Sequence, residues 1–306
     1  MIVAAGLSPA WQHVLHFEQM QWGRVNRATR ATWCAAGKVI NVGIALRRLN
    51  AVSRSVVLVG GEAGSAVRRD VAAQGADARW VESAVPTRVC TTLLEAQGHV
   101  TTELVENAGR VSAAELQAFT EAFVVETASA DLVIFAGSLP AAAPSTFCRD
   151  LIARCDGRVI LDIRGDDLLE ALNERPFLVK PNRSELSETL GLTIRDESEL
   201  IDAMRKLNTR GAEWVVVTHG DQGVFVTSAT DVYRIDPPSV PVTCPIGCGD
   251  CMAAGLASAL QQGRDVIDSI RFGVAVAVSK LADPLPSRVD SALATQLEKK
   301  VTSAPL

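Results

Sequence analysis

The sequence predicts an α/β protein in which a mostly parallel sheet is covered by helices on both faces and a small β-sheet is set into the chain. Three observations carry that prediction. From Ala113 onward, short β-branched runs alternate regularly with helical stretches. The runs Met1–Leu7 and Ser55–Val59 are almost continuously apolar, as strands buried on both faces are. Two β-rich runs, Thr87–Glu95 and Val100–Val105, are joined by the turn Ala96-Gln97-Gly98-His99 and read as a hairpin that interrupts the alternation.

Met1–Leu7 stops at Ser8-Pro9 and is a first buried strand. Trp11–Phe17 mixes large apolar with polar residues and Arg27–Trp33 alternates loosely, so both belong to a smaller, half-exposed sheet. His13 and His16 fall there without further ligands nearby and read as packing or surface residues. Residues 37–42 lead into a helix over Gly43–Leu49 that closes on Arg47 and Arg48, where cations suit the helix dipole. Ser55–Val59 ends at Gly60-Gly61, and a helix follows near Ser65–Gln74. After the hairpin, helices Ala113–Thr127, Ser145–Arg154, Asp166–Asn173 and Glu197–Thr209 precede strands Asp131–Ala136, Arg158–Asp162, Phe177–Lys180 and Trp214–Thr218 respectively. A single domain over 1–306 is expected, with lid strands from about 11–35 and 87–106 inserted. Ligands of such sheets bind beyond the carboxyl ends of the strands. Gly137-Ser138, Asp162, Lys180-Pro181-Asn182 and Thr218-His219-Gly220 all fall there.

Composition narrows the function. A hydrophobic fraction of 48%, a net charge of −5 and the lack of any long charged block argue against disorder and against nucleic-acid binding. Aromatic content of 5% leaves no base-stacking platform. No apolar run approaches the roughly 20 residues of a membrane span, and the N-terminal residues lack a signal-peptide pattern, so a cytoplasmic protein without membrane contact is expected. The 7 scattered cysteines read as free thiols.

The most informative stretch is Cys244–Leu260. Pro245 and Gly247 end a β-rich segment, and the small apolar run from Met252 favours helix, so Gly247-Cys248-Gly249-Asp250 turns into a helix N-terminus. Unpaired N–H groups, the dipole and two glycines make such a turn an anion site. Asp250 is then either a helix cap or a base for an attacking hydroxyl.

Gly247-x-Gly-Asp is the last of an ordered series: Ser8-Pro9-Ala10, Gly23-Arg-Val-Asn-Arg27, Gly37-Lys38-x-x-Asn41-Val42, Thr87-Arg88, Thr102-Glu103, Gly137-Ser138-Leu139-Pro140, and Lys180-Pro181-Asn182 with Glu185. In this order the motifs resemble the phosphofructokinase B family of sugar kinases in the ribokinase-like superfamily, within the branch of 1-phosphofructokinase and tagatose-6-phosphate kinase. The resemblance implies a three-layer α/β/α domain with a β-sheet lid. It also implies an ATP-dependent kinase of a phosphorylated ketohexose that uses Mg²⁺. By the same resemblance Asp250 is the general base, and Gly247, Cys248 and Gly249 hold the transferring phosphoryl group. Lys180 and Asn182 serve nucleotide phosphates and the Mg²⁺ network, and Glu185 orients metal-bound water. Lys38 and Arg88 take the sugar-bound phosphate, while Gln12, Gly37, Asn41 and Ser138 line the substrate site. Thr218, Gly220 and Gly223 belong to a nucleotide turn, and Ala275–Ser279 to an adenine pocket. Arg24 or Arg27 reaches phosphate across a homodimer formed through the lid sheet.

Read without the resemblance, Asn182 and Glu185 form a capping box opening a helix through Leu190. Lys38 and Arg88 are then solvated charges, Gly220 and Gly223 a hairpin turn, and Ala275–Ser279 a buried helix. The chain also departs from the family pattern. Gln12 stands where the family usually has Asp, and Ala36-Gly37-Lys38-Val39 where it has Gly-Gly-Lys-Gly, which is expected to reshape the sugar pocket. Cys248 replaces a customary Ala, and Cys244-Pro245 replaces an oxygen-bearing pair that binds a monovalent cation in some relatives, so cation activation is not expected. Altered sugar specificity and a non-catalytic sugar-phosphate sensor are the alternatives. A remoter one uses Cys244, Cys248 and Cys251, spaced C-x-x-x-C-x-x-C, as ligands of an Fe–S cluster in the manner of radical S-adenosylmethionine enzymes.

Overall fold

The computed structural model describes residues 1–306. Strand β1 (Ile2–Gly6) is buried along its whole length, and the chain then turns at Ser8-Pro9 into β2 (Ala10–Phe17) and β3 (Arg30–Ala36). Helix α1 (Lys38–Arg48) starts one turn earlier than the apolar periodicity suggests. The reason is Gly37, whose positive φ of 92° lets the chain leave β3 and enter the helix at once. Lys38 and Asn41 therefore sit on a helix rather than in a loop. Strand β4 (Ser53–Val59), helix α2 (Gly61–Ala73), strand β5 (Ala78–Glu82) and the hairpin β6 (Arg88–Glu95) and β7 (Val100–Val105) follow.

Helix α3 (Ala113–Thr127) spans the predicted residues and opens on a reciprocal capping box between Ser112 and Glu115. Next come β8 (Leu132–Ala136), α4 (Phe147–Ile152), β9 (Arg158–Asp162), α5 (Asp166–Ala171), β10 (Leu178–Val179), α6 (Arg183–Leu190), α7 (Glu197–Arg210) and β11 (Trp214–Thr218). The chain closes with β12 (Val224–Thr227), β13 (Val232–Asp236), α8 (Cys248–Gln261), α9 (Val266–Lys280), α10 (Ser291–Glu298) and β14 (Thr302–Pro305).

These strands form two sheets. The large one has 10 strands in the order β14-β13-β12-β11-β10-β9-β8-β1-β4-β5, parallel from β11 to β5 and antiparallel beyond β11. Side chains alternate across it: Ile2, Ala4, Leu132 and Ile134 join a core of 39 buried residues with α1, α8 and α9, while Val3, Ala5, Val133 and Phe135 join one of 34 with α3 and α7. Helices on both faces of the parallel sheet give the three-layer arrangement. The small sheet has 4 strands in the order β3-β2-β6-β7, with β2 and β6 parallel and both outer pairs antiparallel. No helix is long and apolar enough to cross a membrane.

Candidate active site

A cavity of about 500 Å³ lies between the carboxyl ends of the parallel strands and one face of the small sheet. The small sheet supplies Gln12, Arg88, Glu103 and Val105. Helix α1 supplies Lys38 and Asn41, the last residue of β9 is Asp162, and the loops after β8 and β10 supply Ser138 and Lys180. The floor is the start of α8, with Gly247, Gly249 and Asp250.

Gly247 caps α8 in the left-handed region, φ 81°, which only glycine adopts without strain; a Cβ there would also stand 3.0 Å from Pro286 Cβ. Cys248 N–H donates to Pro245 O at 3.2 Å and Cys251 N–H to Gly247 O at 3.0 Å. The amides of Gly249 and Asp250, between them, have no acceptor in the protein, and no side chain caps the helix. These free donors and the positive end of the α8 dipole face the cavity, so the site suits an anion.

Asp250 is therefore not a side-chain cap. Its Oδ2 accepts from Asn41 Nδ2 at 2.7 Å and the residue is 6% exposed. Burial, and then the nearby Asp162 carboxylate, push its carboxyl up to about 6 against the pull of Lys38, Asn41 and Lys180. A carboxylate poised there takes up a proton readily near neutral pH.

Asp162, at the end of β9, is buried between two ammonium groups. Lys38 Nζ donates to its Oδ1 at 2.7 Å, and Lys180 Nζ lies 2.9 Å from its Oδ2. Burial raises the Asp162 carboxyl, but the two ammonium groups outweigh it and hold the group below the usual carboxylate range. Lys38 also reaches Glu185 Oε1 at 3.3 Å, and its ammonium is stabilised by Asp162 and Glu185 in spite of burial. The two carboxylates thus differ: Asp162 stays ionised as a counter-ion, while Asp250 titrates.

A family profile for pfkB family carbohydrate kinases matches residues 12–286. The chain belongs to the pfkB family of carbohydrate kinases. It is 31% identical over 281 residues to a 1-phosphofructokinase of Haloferax volcanii and 29% identical over 277 residues to that of Bacillus subtilis, with 90% of each chain covered in both cases. Among solved structures it is similar to one described as a possible 1-phosphofructokinase of Thermotoga maritima, at TM-score 0.92 and 20% identity over the full length of both chains. The fold is the ribokinase-like one that the motif order implied.

As a pfkB carbohydrate kinase the protein is a phosphotransferase, and most of the residues singled out from the sequence meet in one place. Gln12, Gly37, Lys38, Asn41, Arg88 and Ser138 line the cavity, as do Lys180, Asn182, Glu185 and Thr218. Gly220 and Gly223 do not: they bracket a short 3₁₀ turn between β11 and β12, outside the lining. Cys248 is absent from the cavity wall: its N–H is committed to Pro245 O, and burial pushes its thiol up to about 12. Ala275–Ser279 runs through the buried part of α9, in the core rather than at the cavity.

Several expected contacts are different in kind. Lys38 is committed to Asp162 and Glu185. Arg88 donates to the carbonyl oxygens of Pro9, Glu106 and Ser8, which leaves part of its fork for a ligand. Asn41, expected to line the substrate site, holds Asp250. Gln12 Nε2 donates to Thr92 Oγ1 at 2.7 Å while its carbonyl oxygen makes no hydrogen bond within the protein. Asn182 and Glu185 do form the capping box of α6, with Asn182 Oδ1 accepting from Glu185 N and Glu185 Oε2 from Asn182 N. Val39 is buried against the sheet and does not reshape the pocket, because one step along a helix turns the side chain about 100° from Lys38.

The cysteine cluster is not there. No group of three or more His, Cys, Asp or Glu side chains is arranged to hold a metal ion. Cys251 packs into the large core and Cys244 against Val14, Cys34 and Leu94, because a stretch of turn followed by helix sends these side chains to different faces. His13 stacks on Trp33 at 4.0 Å between ring centroids, as a packing residue. Asp162, which the sequence places at a ligand-binding strand end, and Glu103, from the Thr102-Glu103 motif, also line the cavity, and so does Arg164, which carries no sequence signal. For Asp162 the signal was its place at the end of a buried strand.

Proposed function

We propose that the chain is an ATP-dependent kinase of a phosphorylated ketohexose, of the 1-phosphofructokinase type. The observation that carries this reading is Asp250, buried, hydrogen-bonded on one oxygen and with its carboxyl pushed up to about 6, beside unpaired amides at the start of α8. With Oδ2 engaged by Asn41, Oδ1 is free to accept the proton of a sugar hydroxyl. The hydroxyl oxygen then bonds to the γ-phosphorus, the bond from that phosphorus to the β-bridging oxygen breaks, and ADP leaves. Amides of Gly249 and Asp250 stabilise the charge on the transferring group, and Lys180 offsets charge on the nucleotide phosphates. Arg88, Arg164 and Gln12 offer cationic and polar contacts to the sugar phosphate.

A Mg²⁺ ion fits these residues only as a hydrated ion. Both oxygens of Glu185 already accept a hydrogen bond and Asp162 is shared by lysines, so direct ligation by several carboxylates is not offered. Bound with the nucleotide through water near Glu185, it would neutralise phosphate charge.

The relatives named 1-phosphofructokinase favour fructose 1-phosphate among the acceptors. The deciding measurement is ADP release in a coupled assay with fructose 1-phosphate, fructose 6-phosphate, tagatose 6-phosphate and free sugars at saturating Mg²⁺. Turnover is expected to be fastest with fructose 1-phosphate. Binding of these sugars without turnover of any would turn the reading toward a sensor. We also propose a homodimer through the small sheet, whose outward face carries Trp33 at 46% and Leu104 at 53% exposure.

A further inference from the structure

Lys280, in the last turn of α9, is completely buried. Its Nζ donates to the carbonyl oxygen of Cys244 at 2.7 Å. Lys38 and Lys180 share Asp162, but Lys280 has no carboxylate within ion-pairing distance. A buried ammonium without a counter-ion is costly, and the negative end of the α9 dipole offsets only part of that cost. Apart from Asp250, most of the other buried residues of α8 and α9 are apolar, with only small serines among them, so nothing in the packing itself calls for a cation at this position.

What sets Lys280 apart is the peptide it holds. Thr243 N–H and Cys244 N–H both donate to Leu281 O, the carbonyl next along from Lys280, at 2.8 and 3.3 Å. Pro245 O then accepts from Cys248, the first residue of α8. The segment that delivers Gly247 and the free amides is therefore pinned from behind by the end of α9, with the Lys280 ammonium at the centre of the attachment. Lys280 is absent from the cavity wall. Its charge nevertheless reaches the first turn of α8, where it opposes the upward push of burial on the Cys248 and Cys251 thiols. In a dry interior that charge is little screened.

We propose that Lys280 is a positioning residue for phosphoryl transfer, a cation built into the protein that fixes the Cys244–Gly247 segment and adds positive potential behind the free amides of α8. The missing counter-charge is the phosphoryl group itself, present while the reaction proceeds. The inference rests on the reading of the α8 N-terminus as the phosphoryl site.

The test uses two variants of the full-length protein. Lys280→Met keeps the apolar stem and removes the charge; Lys280→Ala also opens a space beside the Cys244 carbonyl. Turnover of Lys280→Met with ATP and the preferred sugar phosphate is expected to fall by about tenfold or more, with KM for the sugar phosphate moved less than about threefold. Without ligands its urea midpoint is expected to equal or exceed that of the unaltered protein, because an unpaired buried charge has gone. Turnover of Lys280→Ala is expected to recover with added ammonium, methylammonium or potassium chloride, and not with tetramethylammonium chloride. The unaltered protein should respond to none of these salts. A Lys280→Met turnover within about twofold of the unaltered protein would overturn the proposal. So would a loss of turnover that comes with a lowered urea midpoint and no rescue of Lys280→Ala, since Lys280 would then be purely structural. Should the unaltered protein phosphorylate no sugar, the substrate reading fails on its own, and the thermal shift produced by ATP becomes the readout. That shift is expected to shrink in Lys280→Met, and an equal shift in both proteins would sink the inference.

Discussion

Two buried carboxylates share the cavity and shift in opposite directions, which makes the proposed base testable. Asp250, raised to about 6, must be ionised to take a proton, so kcat/KM is expected to rise with pH through about 6 and level off above it. A profile flat from pH 5 to 8 would remove Asp250 as the base. The same shift makes a statement about stability. Because the folded protein holds this proton more tightly than the unfolded chain, the group stabilises the fold below the ordinary carboxylate range, and that contribution is lost as pH rises through about 6. Asp250→Asn is therefore expected to lower turnover by about 100-fold or more while leaving ATP affinity nearly unchanged. At pH 8 it should also stabilise the protein by roughly 1–2 kcal/mol, read from urea midpoints. Asp162 behaves oppositely, its stabilisation present at neutral pH and lost in acid. Asp162→Asn leaves Lys180 without its carboxylate partner and Lys38 with Glu185 alone, and a loss of about 3–5 kcal/mol is expected.

At the scale of elements, the site depends on how helices begin. α1 starts directly after Gly37, and a Cβ on that residue would stand 2.8 Å from Pro9 Cα and 2.9 Å from Ser8 O, at a φ of 92°. Gly37→Ala is expected to cost about 1–3 kcal/mol of stability and to raise KM for the sugar phosphate more than it lowers kcat, because it displaces Lys38 and the turn that Arg88 holds. Unchanged steady-state constants would show that this junction tolerates a shift. α6 illustrates a double use: the capping box between Asn182 and Glu185 also fixes the carboxylate that meets Lys38. Asn182→Ala should therefore cost about 1 kcal/mol through the cap and also weaken Mg²⁺ dependence, measured as the Mg²⁺ concentration at half-maximal rate.

At the scale of the molecule, the cavity belongs to neither sheet alone. The large sheet and the helices packed on it supply Asp250, Asp162 and the lysines; the small sheet supplies Gln12, Arg88 and Glu103. Arg88 ties the two together by donating to Ser8 and Pro9 carbonyls in the turn between β1 and β2. The opposite face of the small sheet carries the stacked Trp11, Trp33 and His13 rings, with Trp33 largely open to solvent. If that face joins two copies, Trp33→Glu should convert a dimer to a monomer in sedimentation. A species of unchanged mass would place the interface elsewhere.

Strand and helix periods are local, so the sequence alone determined the alternation from Ala113 onward, the β6–β7 hairpin, the helix after Gly247 and the family to which the motif order belongs. It also placed Asn182 and Glu185 in a capping box, because that pattern lies within four consecutive residues. Only the tertiary structure decided which side chains meet. Asn41 and Asp250 are 209 positions apart and Lys38 and Asp162 are 124 apart. No local rule joins them; strand order does, by bringing the carboxyl ends of β8, β9 and β10 beside the starts of α1 and α8. Helix phase decided the rest, turning Lys38 into the cavity and Val39 into the core, and separating three cysteines that are close neighbours in the chain. Direction around a helix is set by where the helix starts, and that start is fixed by glycine caps whose conformation the folded protein imposes.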